Sequence, residues 1–149
     1  DYQELKSHKG AFVKLWGTGT ARREFLHVDD LAAACLHLMR LPETHYRALL
    51  AGHEKPVAPD RLMDNQKLEV SHVNIGYGED ITIRDLAGMI AIVVEYDGEI
   101  QWDVSRPDGM PRKLLDSTRI QSTGWQPEIA LKFGIHQTYQ WYLKQSMPA

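Results

Sequence analysis

Apolar residues recur along this chain at two different periods, and each change of period marks a change of element. Ala11, Val13 and Leu15 alternate with Phe12 and Lys14, and this period of two predicts a short strand ending at Trp16. Gly17 and Gly19 then forbid regular structure and let the backbone come close to a ligand. Phe25 to His27 reads as a second brief strand. From Leu31 to Leu41 the period lengthens: Leu31, Cys35, Leu38 and Met39 fall at helical spacing, Asp29 or Asp30 offers an N-cap, and Pro42 supplies a stop. The pattern predicts a buried helix with Cys35 inside it, and it gives His27, just before the cap, a structural role.

Residues 42–68 contain Pro42, Pro56 and Pro59 and keep no period beyond a helical turn at His45 to Leu50, as expected of a lid or an insertion. Ser71 to Gly76 then reads as a strand closed by a Gly76-Tyr77-Gly78 turn. Thr82-Ile83-Arg84-Asp85 resembles an acidic capping box, opening a helix whose apolar face is Ile83, Leu86, Ile90, Val93 and Val94. After an Asp97-Gly98 turn, Glu99 to Asp103 alternates as a strand. Asp116-Ser117-Thr118 begins a short helix that Gly124-Trp125 ends. A last helix from Ile129 carries Leu131, Ile135, Thr138 and Tyr142 on one side, with Tyr139 and Trp141 as packing residues. Residues 1–9 are polar and helix-compatible, with Gly10 at a C-cap position. These elements predict an α/β chain forming one domain over 1–149.

Composition narrows the chemistry. A formal charge of −3 over 149 residues, with no basic stripe interleaved with aromatics, argues against a nucleic-acid partner. No apolar run is long enough to span a bilayer. One cysteine, Cys35, points to a reducing, cytoplasmic setting rather than a disulfide framework. His37, His45, His53 and His72 lack the spacing of a zinc site, so no metal is expected. The chain begins at Asp1 with no start methionine and no secretory signal to read, which suggests processing or a piece of something longer.

Two stretches carry candidate chemistry. Arg22 and Arg23 follow the strand end and the Gly17-Thr18-Gly19 loop, and paired guanidinium forks of this kind grip phosphate groups. On spacing alone a second reading stands beside it, a solvated charge cluster in which Glu24 satisfies one arginine. Neither Gly17-Thr18-Gly19 nor Gly76-Tyr77-Gly78 is a dinucleotide fingerprint, because no third glycine and no helix start follow. The second stretch, Arg106 to Lys113, is a loop stiffened by Pro107 and Pro111 that brings Asp108, Arg112 and Lys113 into one region. Tyr2 and Lys6 match a Tyr-x-x-x-Lys pair, a spacing too common to carry weight at a chain terminus.

Trp16-Gly-Thr-Gly-Thr-Ala-Arg-Arg-Glu-Phe-Leu-His-Val-Asp-Asp-Leu-Ala32 and Arg106-Pro-Asp-Gly-Met-Pro-Arg-Lys-Leu-Leu-Asp116 together resemble the C-terminal, substrate-binding half of the GDP-L-fucose synthases. These are extended short-chain dehydrogenase/reductases. His72 to Gly76, Ile81 to Ala87 and Thr138 to Leu143 are similar as well, so the resemblance covers about Phe12 to Lys144, interrupted by 42–68. It departs at Ala21, Tyr77, Glu95 and Arg106 without removing a candidate phosphate contact. What the resemblance implies is an α/β unit completing a Rossmann-like sheet, a GDP-sugar ligand, and a whole enzyme that epimerises GDP-4-keto-6-deoxy-mannose through an enol and reduces it with NADPH. Carried over by position, Trp16 and Arg23 contact the GDP-sugar, Arg23 and Lys113 face its diphosphate, and Asp108 accepts a bond from ribose or base. The family's cofactor loop, its Ser-Tyr-Lys set and its epimerisation His and Cys have no counterparts here, nor do the helices that pair subunits in these homodimers. No catalytic, cofactor-binding or metal residue is therefore expected in this chain, and it is expected to be inactive alone. Two alternatives remain at this point: a non-catalytic nucleotide-sugar module or remnant, and a piece of another nucleotide-sugar epimerase or dehydratase.

Overall fold

The computed structural model describes residues 12–50 and 72–146. The helical reading of 1–9, the Tyr2/Lys6 pair and the irregular stretch 51–68 lie outside them. The described order is β1 (Phe12–Trp16), β2 (Arg22–Glu24), α1 (Val28–Arg40), α2 (Glu43–Leu50), β3 (Asp80–Thr82), α3 (Ile83–Val93), β4 (Glu99–Asp103), β5 (Arg112–Lys113), α4 (Thr118–Gln121) and α5 (Leu131–Ser146). β1 and β4 pair in parallel, Phe12 opposite Glu99 and Trp16 opposite Asp103. A second sheet has the order β3-β2-β5: β2 runs antiparallel to β3, with Arg23 opposite Ile81, and parallel to β5, with Arg22 opposite Arg112 and Arg23 opposite Lys113.

The strands at 12–16 and 99–103 stand where the alternation places them. Their faces do not: Phe12, Val13 and Trp16 are exposed, so no single face of β1 is covered. Parallel strands ordinarily lie between two layers, and a two-stranded parallel pair with open faces belongs to a larger α/β sheet. The brief strand forms at Arg22–Glu24, three residues before Phe25–His27. β3 and β5 flank it there and supply ladder partners that sequence periodicity cannot see.

His27, rather than Asp29 or Asp30, caps α1: its Nδ1 accepts from the Asp29 amide at 3.2 Å. Asp30 is turned inward, 4% exposed, and takes the amides of Glu128 and Ile129 at 3.0 Å each. α1 is not the buried helix its apolar count suggests. Only Ala34 and Asp30 are buried, Cys35 is exposed and Met39 is 82% exposed, because the core meets α1 along the narrow line of Ala34 and Leu38. That core is Ala34, Ile120 and Trp125, joined by Leu26, Leu38, Val73 and Ile75.

Val73 and Ile75 thus point inward with the expected alternation, but 72–77 is not a strand. Its side chains find the core, while its backbone is tied by other means, such as the His72 carbonyl accepting from Arg119 Nη1 at 3.0 Å. A strand needs a neighbouring ladder as well as an alternating sequence.

α3 begins as predicted: Thr82 Oγ1 accepts from the Asp85 amide at 3.0 Å and donates to Asp85 Oδ2 at 2.6 Å. α3 packs against α5. On α5 the inward stripe is Leu131, Gly134, Ile135, Tyr139 and Leu143, so Tyr139 packs while Trp141, 62% exposed, and Tyr142 do not. Gly134 is buried against the His27 ring, where an added Cβ would stand 2.9 Å away. Gly124, at φ +93°, ends the turn after α4 as expected. Among the described residues no helix is long and apolar enough to cross a membrane.

Candidate nucleotide-sugar site

The 106–113 loop carries Asp108 and Lys113 and reaches Trp16 and Arg23. It leaves β4 through a bond from the Arg106 amide to the Asp103 carbonyl, and it ends at Pro111, whose carbonyl accepts the Arg22 amide at 2.8 Å. Between those ends it makes three further contacts. The Arg106 guanidinium stands over the Trp16 ring at 5.2 Å, a cation–π distance, on a tryptophan that is 70% exposed. Asp108 takes the Thr18 amide on Oδ1 at 2.8 Å and the Thr18 hydroxyl on Oδ2 at 2.6 Å. Gly109 lies against Arg23, where an added Cβ would sit 3.2 Å from Nη2.

Parallel pairing of β2 with β5 then sorts four cations by pleat. Residues opposite each other in register share a face, and successive residues alternate. Arg22 and Arg112 therefore share one face with Asp80, and Arg23 and Lys113 share the other, their backbones about 4.8 Å apart. On the first face Arg22 Nε donates to Asp80 Oδ1 at 2.6 Å and Arg22 Nη2 donates to the Asp80 carbonyl at 2.8 Å. Arg112 Nε bonds the other carboxylate oxygen. The two arginines lower the Asp80 carboxyl from its ordinary value, Arg112 most strongly. On the second face Arg23 Nη1 donates to the Arg22 carbonyl at 2.6 Å, and no carboxylate among the described residues pairs with Arg23 or Lys113.

The reading of Arg22 and Arg23 as one clamp thus divides: Arg22 is neutralised and Arg23 is available. The rival reading, Glu24 satisfying an arginine, is overturned. Glu24 instead accepts the amides of Gly78 at 2.7 Å and Leu115 at 3.1 Å. Asp108 stands beside the site, but Thr18 engages both its oxygens and lowers its carboxyl from the ordinary value, so what its geometry displays is a lock between two loops.

Asp80, Thr18, Arg84 and Trp102 are the residues that sequence reasoning missed. Arg84 donates to the Thr18 carbonyl and stacks on Trp102 at 4.5 Å, and Trp102 in turn floors Gly19. No motif marks them, and Asp80 lies 58 and 32 positions from the two arginines it meets, too far for any local pattern to signal it. A cavity of about 310 Å³ beside Leu49 and Arg119 and one of about 700 Å³ beside Phe133 and Tyr139 are not lined by Trp16, Arg23 or Lys113.

The NAD dependent epimerase/dehydratase family matches residues 4–52. Among curated proteins, the GDP-L-fucose synthase of Escherichia coli (strain K12) is 45% identical over 143 residues, covering 96% of this chain and 40% of that protein. GDP-L-fucose synthase 1 of Arabidopsis thaliana is 42% identical over the same length, covering 96% of this chain and 36% of its own. The chain is thus similar to GDP-L-fucose synthases along nearly its whole length. It spans about two fifths of the length of those two relatives. Of solved structures, a GDP-6-OMe-4-keto-L-xylo-heptose reductase from Campylobacter jejuni superposes with a TM-score of 0.72 at 34% identity, over 97% of this chain and 37% of that one. A GDP-mannoheptose C4 reductase from the same organism, solved with NADP bound, gives 0.64 at 34% identity, over 89% of this chain and 35% of its own.

NADP(H) does not fit the glycine loop of this chain. A Cβ on Gly17 would stand 2.2 Å from Asp108 Oδ1, and one on Gly19 would stand 2.5 Å from the Trp102 ring. The close approach these glycines permit is filled by the protein's own side chains, and the Thr18 amide that a phosphate would need is taken by Asp108. A strand rather than a helix follows, so no helix N-terminus meets the loop.

Proposed function

We propose that this chain is the GDP-sugar-holding part of a GDP-L-fucose synthase-like epimerase/reductase, whose substrate is GDP-4-keto-6-deoxy-mannose and whose hydride donor is NADPH. One observation carries the reading: Arg23 and Lys113 stand in register on one face of β2 and β5, free of carboxylates among the described residues, while Asp80 neutralises Arg22 and Arg112 on the other. Two cations side by side suit a diphosphate, whose charge is spread over two groups. Trp16, exposed beneath Arg106, offers the nucleotide-sugar a flat apolar contact. Asp108 serves by holding the loops in place. Fixing the nucleotide orients the sugar toward the reacting groups, which belong to other parts of such an enzyme. The lone exposed thiol of Cys35 suits a cytoplasmic setting.

Calorimetry with GDP-mannose tests the binding step. A charge-assisted bond is worth about 1.5–3 kcal/mol, so Arg23→Ala and Lys113→Ala should each weaken binding about 10- to 100-fold. UDP- and dTDP-sugars should bind more weakly than the GDP-sugar. Absence of heat with GDP-mannose, or affinity indifferent to both variants, overturns the reading. Substrate-dependent NADPH oxidation by the full-length protein tests the reaction.

A further inference from the structure

β5 is two residues long, Arg112 and Lys113, and everything proposed for the nucleotide site depends on where it lies against β2. Its ladder alone is a weak tether, since a pair this short has little to hold it in place. Its register also sets Arg112 directly opposite Arg22, a like-charge pair of the kind that opposes pairing. A slip of one residue would bring Arg112 onto the ligand face and carry Lys113 away from it. The group that prevents this comes from a third strand. The side chain of Asp80 is only 3% exposed, one carboxylate oxygen takes Arg22 Nε at 2.6 Å, and the other takes Arg112 Nε. Each arginine has its own oxygen, so the carboxylate cancels the repulsion and bridges β2 to β5 at the same time.

We propose that Asp80 is a positioning residue of the nucleotide site: by binding Arg22 and Arg112 on one face of the sheet, it holds β5 where Lys113 stands beside Arg23 on the other. This rests on the GDP-sugar reading given above. Asp80 never meets the ligand, because the sheet lies between them. What it controls is the spacing of two cations. The dependence should therefore be strong for a ligand that needs both cations and weak for one that needs a single cation.

GDP and GMP, titrated into the wild-type chain and into Asp80→Asn, make that comparison. Asparagine keeps an acceptor but not the charge, so Asp80→Asn should weaken GDP about tenfold or more while changing GMP by less than about threefold. If Asp80→Asn does not fold, Arg112→Gln alone carries the test. It keeps the Asp80–Arg22 pair, releases β5, and should show the same selective loss of GDP. Equal losses of GDP and GMP would mean a merely structural role and overturn the proposal, as would GDP affinity unchanged in both Asp80→Asn and Arg112→Gln. The two readings fail separately: no binding by the wild type, or indifference to Arg23→Ala and Lys113→Ala, removes the nucleotide site itself. A normal response to those variants with none at Asp80 removes only the positioning role.

Discussion

Three glycine-to-alanine substitutions should give three different answers, and the structure ranks them. Gly19 lies at φ +77°, with an added Cβ meeting two atoms of the Trp102 ring at 2.5 Å. Left-handed backbone costs an alanine about 1–2 kcal/mol. The clash adds an overpacking penalty of about 1–3 kcal/mol, since the ring must move by about 1 Å to reach ordinary contact. Trp102 has little freedom to move, because it is in β4 opposite Leu15 and carries Arg84 on its face. Alanine also stiffens the unfolded chain, which returns about 0.4–1 kcal/mol. The net for Gly19→Ala is a loss of about 2–4 kcal/mol.

Gly124 has φ +93° but nothing within 4 Å of the added Cβ, so Gly124→Ala should lose only the backbone part, about 1 kcal/mol. Gly88 is inside α3 with open space around it, and Gly88→Ala should gain up to about 1 kcal/mol from helix propensity. Urea unfolding followed by tryptophan fluorescence and circular dichroism reads all three. If Gly19→Ala is no worse than Gly124→Ala, the packing of Trp102 beneath the glycine loop is wrong.

Other carboxylates give further tests. Asp30→Ala strands the Glu128 and Ile129 amides in a part-buried place and should destabilise by about 2–4 kcal/mol in urea titrations, with Asp30→Asn losing less; equal stability of all three chains would remove the proposed link from α1 to the start of α5. Acid should unfold the chain through three lowered carboxyls: Asp80 under Arg112 and Arg22, Asp103 under Ser105 and Lys14, and Asp108 under the Thr18 hydroxyl and amide. Because each folded value lies below the ordinary carboxyl value of about 3.9, this stabilisation is complete above it and is lost as pH falls through the folded value. Urea midpoints measured from pH 6 downward should therefore drop on the acid side of about pH 4, and Asp108→Asn should blunt the drop; a midpoint flat or rising there contradicts the network.

What the sequence determined by itself was local. Periodicity placed β1, β4 and α3, the Thr82 cap followed from Thr-x-x-Asp, and Gly124 marked its turn, because each depends on residues a few positions apart. The two motif stretches also pointed to the GDP-L-fucose synthases that the chain is similar to, and nominated Trp16, Arg23 and Lys113 as candidates. Tertiary structure decided which cation is free and which is spent, and it did so through carboxylates that reach far along the chain. Asp80 meets Arg22 across 58 positions, Asp108 meets Thr18 across 90, Glu24 meets Leu115 across 91 and Asp30 meets Ile129 across 99. At those separations no period or cap links the partners, so an acid looks the same in sequence whether it caps a helix, cancels an arginine or pins a loop. The faces of α1 and α5 were misjudged for the same reason. An apolar side chain is buried only where another element arrives to cover it, and Ala34 and Gly134, the smallest residues available, mark where that happened.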